Sequence, residues 1–297
     1  MTRFRQVYIE ITNVCNLRCA FCPGTPRPPA FMPVDRFAGL LPLVAPLTGQ
    51  IYLHVLGEPL LHPDFAAMIA LAGQAGVPVS ITTNGTLMAS PAAAALLAPG
   101  VRQVNISLHS LYGESDDAVR AQRLRDILDF TRQAFAVRPD LYINYRLWNF
   151  ETARHSAEND LNTWICRTLA ETFAIPEPTV AQAAGCKTRR LLNRLYLDLD
   201  TRFEWPTLTP GAPEHDLGYC HGLTGQLAIL VDGTVVPCCL DRDGVINFGN
   251  VFETPLDAIL ASPRVVAMYD ALRAGRLVEP LCRQCTFRMR FALPRKA

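Results

Sequence analysis

Lysine is nearly missing from this chain: Lys187 and Lys296 stand alone among 28 basic residues. Arginine supplies the rest, and its planar fork suits carboxylates and phosphates better than an ammonium does. Net charge is also lacking, at +1 over 297 residues. That excludes a nucleic-acid binder working by bulk electrostatics. Long apolar runs are absent too. The most apolar region, 37–57, is broken by Pro42, Pro46, Gln50 and His54, whereas a membrane span needs about 20 apolar residues. The opening MTRFRQVYIEITN has no apolar core of a secretory signal. A cytoplasmic protein that binds neither nucleic acid nor membrane is expected. A 49% hydrophobic content excludes wholesale disorder, and the length allows one large core with a small appended domain. What the chain has instead is ten cysteines. In a reducing compartment such cysteines bind metal or react more often than they form disulfides.

The first two-thirds alternate strand and helix. VYIEIT (7–12), IYLHVL (51–56), VSITT (79–83), VNISL (104–108), LYINYRLW (141–148) and RLYLDLD (194–200) read as strands. Helical patterns occupy 33–44, 64–73, 116–136 and 162–173, with a short alanine-rich helix capped by Ser90. Such βαβ units imply right-handed crossovers and a parallel sheet. Six units are two fewer than a closed eight-fold barrel needs, so a partial (β/α)6 barrel is expected. Its chemistry belongs at the C-terminal strand ends, which puts Cys15–Cys22, Gly57-Glu58, Asn84-Gly85, His109 and Trp148 on one rim. The Pro/Gly-rich stretch 207–218 reads as a linker between a core domain (1–206) and a small C-terminal domain (219–297). In the latter, QLAILV and TVVP flank Asp232-Gly233, a hairpin signal, and 254–274 reads as one helix.

Cys15, Cys19 and Cys22 form C-x3-C-x2-C directly after the first strand. Three thiolates this close select zinc or iron–sulfur, and three ligands leave a fourth position open. Cys220, Cys238, Cys282 and Cys285 form a second set, suited to a closed four-thiolate site of zinc or iron–sulfur. Cys166 reads as core, Cys186 as incidental or reactive. Cys239 follows a ligand position and faces the other way along extended backbone. A spare ligand, a buried thiol and a hydrogen-atom donor all fit it.

The segment CNLRCAFC (15–22), with Phe21 before its last cysteine, resembles the radical SAM superfamily. The resemblance implies a [4Fe–4S] cluster on Cys15, Cys19 and Cys22, with S-adenosylmethionine on its open iron. Reductive cleavage would give a 5′-deoxyadenosyl radical that abstracts a substrate hydrogen. Leu56-Gly57-Glu58-Pro59 is similar to the family's glycine-rich acidic motif at the methionyl amine, with Leu56 replacing the first glycine. Asn84, Ser107 (ribose) and Arg146 (carboxylate) complete the implied cofactor set. Each also has a plainer reading as turn, core serine or buried ion pair. The second cysteine set, with GNVFETPLDAIL (249–260), resembles the SPASM or shorter twitch domains. Only TFRMRFALPRKA follows Cys285, so one auxiliary [4Fe–4S] cluster is implied, two in all.

Among such proteins the similarity is sharpest to twitch-containing dehydrogenases, in which an auxiliary cluster accepts an electron from the substrate. Oxidation of a small molecule or sugar is therefore expected, with flavodoxin or ferredoxin as reductant. His54, His109 and Arg146 are base candidates, although His54 also reads as a packed histidine. Epimerisation, with Cys239 returning a hydrogen, and peptide modification are the alternatives. Peptide-modifying relatives often carry an N-terminal leader-binding domain, and here the first strand begins by about residue 7. Arg189, Arg190 and Arg194 fit an anion site or solvated charge. A non-catalytic iron–sulfur or zinc electron carrier is the reading of another class.

Overall fold

The computed structural model describes residues 4–150, 157–178 and 188–291. Cys186 and the stretch around it lie outside the described residues. Strands β1 (Gln6–Ile9), β2 (Ile51–Tyr52), β3 (Val79–Thr83), β4 (Val101–Ser107), β5 (Tyr142–Phe150) and β7 (Leu195–Thr201) run parallel, each beside the next. Helices α1 (Val34–Val44), α2 (Phe65–Gln74), α3 (Asp117–Val137) and α4 (Ala157–Phe173) lie between them in the chain. This is the expected six-unit partial barrel. Two additions complete a nine-stranded sheet. Strand β6 (Thr188–Leu192) pairs antiparallel with β7 at one edge. At the other edge β8 (Gln226–Ile229) runs parallel to β1, and β9 (Val235–Val236) folds back on β8. The C-terminal part closes with α5 (Leu256–Leu260), α6 (Pro263–Arg273) and α7 (Pro280–Gln284).

Local chemistry explains where these elements start and stop. The Asp116 carboxylate accepts from the backbone N–H groups of Ala118 and Val119 at 2.8 and 3.1 Å, which caps α3. Gly233 turns the β8–β9 hairpin with φ +90°. The helix expected over 254–274 is two helices. Pro263 bars Ser262 from helical backbone (ψ 146°) and breaks the run. The alanine-rich segment 91–97 is a 3-10 helix, and Ser90 does not cap it. Its hydroxyl donates to the Leu87 carbonyl at 2.7 Å instead. Strand β2 is shorter than expected. Leu53 N still reaches Ser80 O at 3.1 Å, but Leu56 N is drawn to the Glu10 carboxylate at 3.2 Å. The sequence reading missed β6, which Asn193 joins to β7 with φ 41°.

One alternation runs through the sheet. Val7, Ile9, Ile51, Leu53, Val79, Ile81, Val104, Ile106, Ile143, Tyr145, Leu147, Leu195 and Leu197 are fully buried and belong to the main core, shared with α1–α4. Cys166 lies in that core, as expected. The other faces of the same strands carry Gln6, Tyr8, His54, Thr82, Gln103, Ser107, Asn144, Arg146 and Asp198, all lining one cavity. Eight-stranded barrels fill this space with branched apolar side chains; here it stays open, with these polar side chains set in its wall.

Candidate active site

The cavity measures about 530 Å³ and runs from the strand ends into the half-barrel. Six of the seven cysteines expected to be ligands line it: Cys15, Cys22, Cys220, Cys238, Cys282 and Cys285. Two sets far apart in sequence thus meet at one space, because β8 lies against β1. Among the described residues no three His, Cys, Asp or Glu side chains close around a single-ion position.

Short bonds hold the first cysteine loop. Asn13 clasps the loop's return, accepting from Ala30 N at 2.8 Å and donating to Pro28 O at 2.9 Å. Cys15 Sγ accepts from Leu17 N at 3.5 Å and Asn84 Nδ2 at 3.7 Å. Asn84 also donates to Asn16 Oδ1 at 2.9 Å. Burial first, then the Cys15 and Cys22 thiols, push Cys19 up to about 11. A cationic iron–sulfur centre is the kind of partner that lets such thiols ionise together. The donor set therefore fits the implied cluster.

Gly57 is where only glycine fits. Its φ is +77°, and a Cβ there would sit 2.4 Å from Thr12 O and 2.9 Å from Val14 O. The next residue, Glu58, anchors to the same loop through its N–H to Val14 O at 2.8 Å. Its carboxylate, expected at the methionyl amine, instead accepts from Thr83 Oγ1 (2.8 Å), Asn84 N (2.7 Å) and Leu60 N (3.2 Å). It is buried and does not line the cavity. Leu56 stands in the first glycine's place with its N–H on Glu10.

The C-terminal cysteines approach one another. Burial pushes all four thiols up. Neighbouring thiols add to this: Cys285 at Cys220, Cys239 first and then Cys220 and Cys282 at Cys238, and Cys220 and Cys285 at Cys282. Cys239 points elsewhere. It packs against Tyr8 and Tyr52, its thiol donates towards Gln226 Oε1 at 4.0 Å, and burial pushes it up to about 11. Arg242 knots this region to the first loop. Its Nε donates to Gly24 O and its Nη1 to Pro206 O, both at 3.0 Å.

Phe21, Ser107, His109 and Arg146 all border the cavity. Phe21 meets His109 edge-on at 5.0 Å. Burial pulls His109 down to about 4 and His54 to about 3, so both imidazoles are neutral. Arg146 Nη1 donates to Thr82 Oγ1 at 3.3 Å, and its guanidinium lies over the Trp148 ring at 4.7 Å. Arg189, Arg190 and Arg194 do not converge on the cavity. Arg190 donates to Asn193 O at 2.7 Å, and Arg194 covers Tyr142. Sequence reasoning missed Glu10, Asn144 and Asp198. Their signal was present: doubly covered parallel strands read as continuous apolar runs, whereas these alternate.

Comparisons with known proteins agree with this geometry. Residues 9–155 match the model of the Radical SAM superfamily. Residues 220–286 match SPASM, an iron–sulfur cluster-binding domain. The chain is 27% identical over 217 residues to GTP 3′,8-cyclase of Synechococcus sp. (strain CC9605), covering 66% of this chain and 58% of that protein. It is 24% identical over 320 residues to the tungsten-containing aldehyde ferredoxin oxidoreductase cofactor-modifying protein of Pyrococcus furiosus, covering 96% and 88%. Of solved structures, BtrN with AdoMet and 2-DOIA superposes with a TM-score of 0.55 at 15% identity over 96% of this chain and 94% of that one. Streptococcus suis SuiB bound to precursor peptide SuiA gives 0.57 at 14% identity, over 96% and 71%. At these identities the structural likeness speaks to fold alone.

Proposed function

From a chain that carries a radical SAM domain and, after it, a SPASM iron–sulfur domain, we propose an oxidoreductase that dehydrogenates a small molecule or sugar. The observation that carries this reading is the one cavity walled by both cysteine sets. Cys15, Cys19 and Cys22 would hold a [4Fe–4S] cluster, and Phe21, Gly57, Ser107 and Arg146 would border S-adenosylmethionine. Bound there and reduced, that pair supplies a 5′-deoxyadenosyl radical able to take a substrate hydrogen. Glu58 and Asn84 would act from behind, fixing the cysteine loop.

Cys220, Cys238, Cys282 and Cys285 would hold a second cluster, placed beside the same cavity as an electron acceptor must be. Dehydrogenation also needs a proton acceptor at the reacting carbinol. His54 and His109 are weak bases at about 3 and about 4. Asp198, which lines the same cavity and accepts from Asn144 Nδ2 at 2.6 Å, is a further candidate. Trp148, Phe203, Trp205, Phe287 and Phe291 would shield the mouth from water. We place the protein in the cytoplasm with a flavodoxin or ferredoxin as reductant; among the described residues no helix is long and apolar enough to cross a membrane.

Anaerobic reconstitution tests this. The wild type should bind about eight irons, and Cys15→Ala/Cys19→Ala/Cys22→Ala about four. Reduced with S-adenosylmethionine, the wild type should release 5′-deoxyadenosine and yield a carbonyl product. Clusters that form without cleavage of the sulfonium would favour a plain electron carrier. Epimerisation is the second reading, favoured by the Cys239 thiol in the cavity wall. It requires one solvent deuteron at the product carbon and loss of turnover in Cys239→Ala.

A further inference from the structure

Arg283, Arg288 and Arg290 lie within or just past the C-terminal C-x2-C pair. The first and last are spent on carboxylates. Arg283 pairs with Glu214 at 3.2 Å and Asp216 at 2.5 Å, and Arg290 with Asp200 at 2.9 Å. Arg288 differs. Among the described residues no carboxylate pairs with it, and its Nε is buried without a partner. Its guanidinium lies on the backbone of Gly218, where a Cβ would meet Nη1 at 2.8 Å. Gly218 stands two residues before Cys220, and Arg288 three after Cys285. Arg288 borders the cavity together with Cys220, Cys238, Cys282 and Cys285.

A half-buried cation without a carboxylate is costly unless something anionic faces it. The anionic candidates are the thiols. Burial lifts Cys220 and Cys285. Against it work the N–H groups of Gly222 and His221 at Cys220, those of Arg288 and Phe287 at Cys285 and, at both, the Arg288 charge. Gly222 N reaches Cys220 Sγ at 3.3 Å. Cys282 has the contrary surroundings: burial and the neighbouring thiols lift it, and the Glu279 and Asp241 carboxylates add to this. Net charge and hydrogen bonds to sulfur set how readily an iron–sulfur centre takes an electron. A guanidinium keeps its charge throughout the working pH range. We propose that Arg288 raises the reduction potential of the four-cysteine centre, by holding against Cys220 and Cys285 a positive charge that no carboxylate neutralises. The inference rests on reading that centre as an auxiliary [4Fe–4S] cluster. Arg288 acts through the ligands and touches no substrate.

The test is a redox titration of the anaerobically reconstituted full chain, followed by electron paramagnetic resonance with dithionite as the electron source. The Cys15→Ala/Cys19→Ala/Cys22→Ala background leaves one centre to observe. There Arg288→Gln should make the centre about tenfold harder to reduce, a potential about 59 mV lower, with about four irons kept. Arg288→Lys should restore most of the difference. If the background holds no iron, the titration passes to the chain with all its cysteines, where S-adenosylmethionine changes the signal of the open-iron centre alone. If Arg288→Gln loses its iron, Gly218→Ala carries the test, since its Cβ pushes the guanidinium off its seat and should shift the potential the same way. An unchanged potential, or Arg288→Lys shifted as far as Arg288→Gln, would overturn the proposal and leave the two-cluster reading standing. Zinc in the four-cysteine site would overturn both.

Discussion

Glu10 offers the sharpest test of how the site is held. Its side chain is wholly buried, and its carboxylate accepts four hydrogen bonds. Arg27 Nη1 and Nη2 supply two at 2.7 and 2.8 Å, Leu56 N a third at 3.2 Å and Val231 N a fourth at 3.0 Å. One carboxylate thus joins β1, the cysteine loop's return, the Gly57 turn and the C-terminal hairpin. Glu10→Met removes it while keeping volume. The Arg27 side chain, 11% exposed, would keep its charge without a partner, and two backbone N–H groups would lose theirs. Breaking a buried pair from one side costs about 3–5 kcal/mol. Chemical denaturation of the apo protein, followed by circular dichroism, should therefore lose about that much stability. The double variant Glu10→Met/Arg27→Met should lose less than Glu10→Met alone, because the stranded cation is gone. A single-variant loss under about 1 kcal/mol, or a double variant worse than the single, would refute the assignment.

Four further outcomes follow from the geometry. Gly57→Ala places a Cβ 2.4 Å from Thr12 O at φ +77°; it should empty the first cluster site and leave about four irons. Cys238→Ala should lose about four irons, whereas Cys239→Ala should keep all of about eight. Burial lifts Glu58 from its usual 4.5 to about 7, so the folded state holds this proton after the unfolded chain has released it. Stability of the apo protein should then fall by about 3 kcal/mol as pH rises from about 4.5 to about 7 and level off above; Glu58→Gln should flatten that slope, and an unchanged slope would exclude this origin. A fragment ending at residue 206 exposes the β1 edge that β8 covers and deprives Glu10 of Val231 N; it should aggregate on size-exclusion chromatography, and a folded monomer would count against the pairing.

Much of the fold was legible because its signals are local. Strand alternation, the helix N-terminus at Asp116 and the turn at Asp232-Gly233 depend on neighbours within a few residues. The cysteine spacing was legible for the same reason, since a C-x3-C-x2-C loop needs no distant partner. What escaped was non-local. Arg27 lies 17 residues from Glu10, and Val231 lies 221 residues away; no periodicity announces such a pair. Glu58 was placed at the cofactor by its motif. Only the third dimension brings Thr83 Oγ1 and Asn84 N to the same carboxylate.

The cavity wall was half legible, and the reason is physical. Alternation in LYINYRLW and RLYLDLD showed that one strand face is polar, but not where that face points. On an exposed sheet edge the polar face would meet water and mean little. Here helices cover the apolar face, and β8 with β9 extends the sheet beyond β1. The polar face then has only the cavity left. Asn144 and Asp198, unremarkable as letters, become buried groups with an unpartnered oxygen each. Cys239 follows the same logic, since the turn that sends Cys238 towards Cys220 and Cys282 leaves its neighbour facing Tyr8. The cysteines thus declare their chemistry from sequence, whereas the polar strand faces acquire meaning only once the sheet has curled around the cavity.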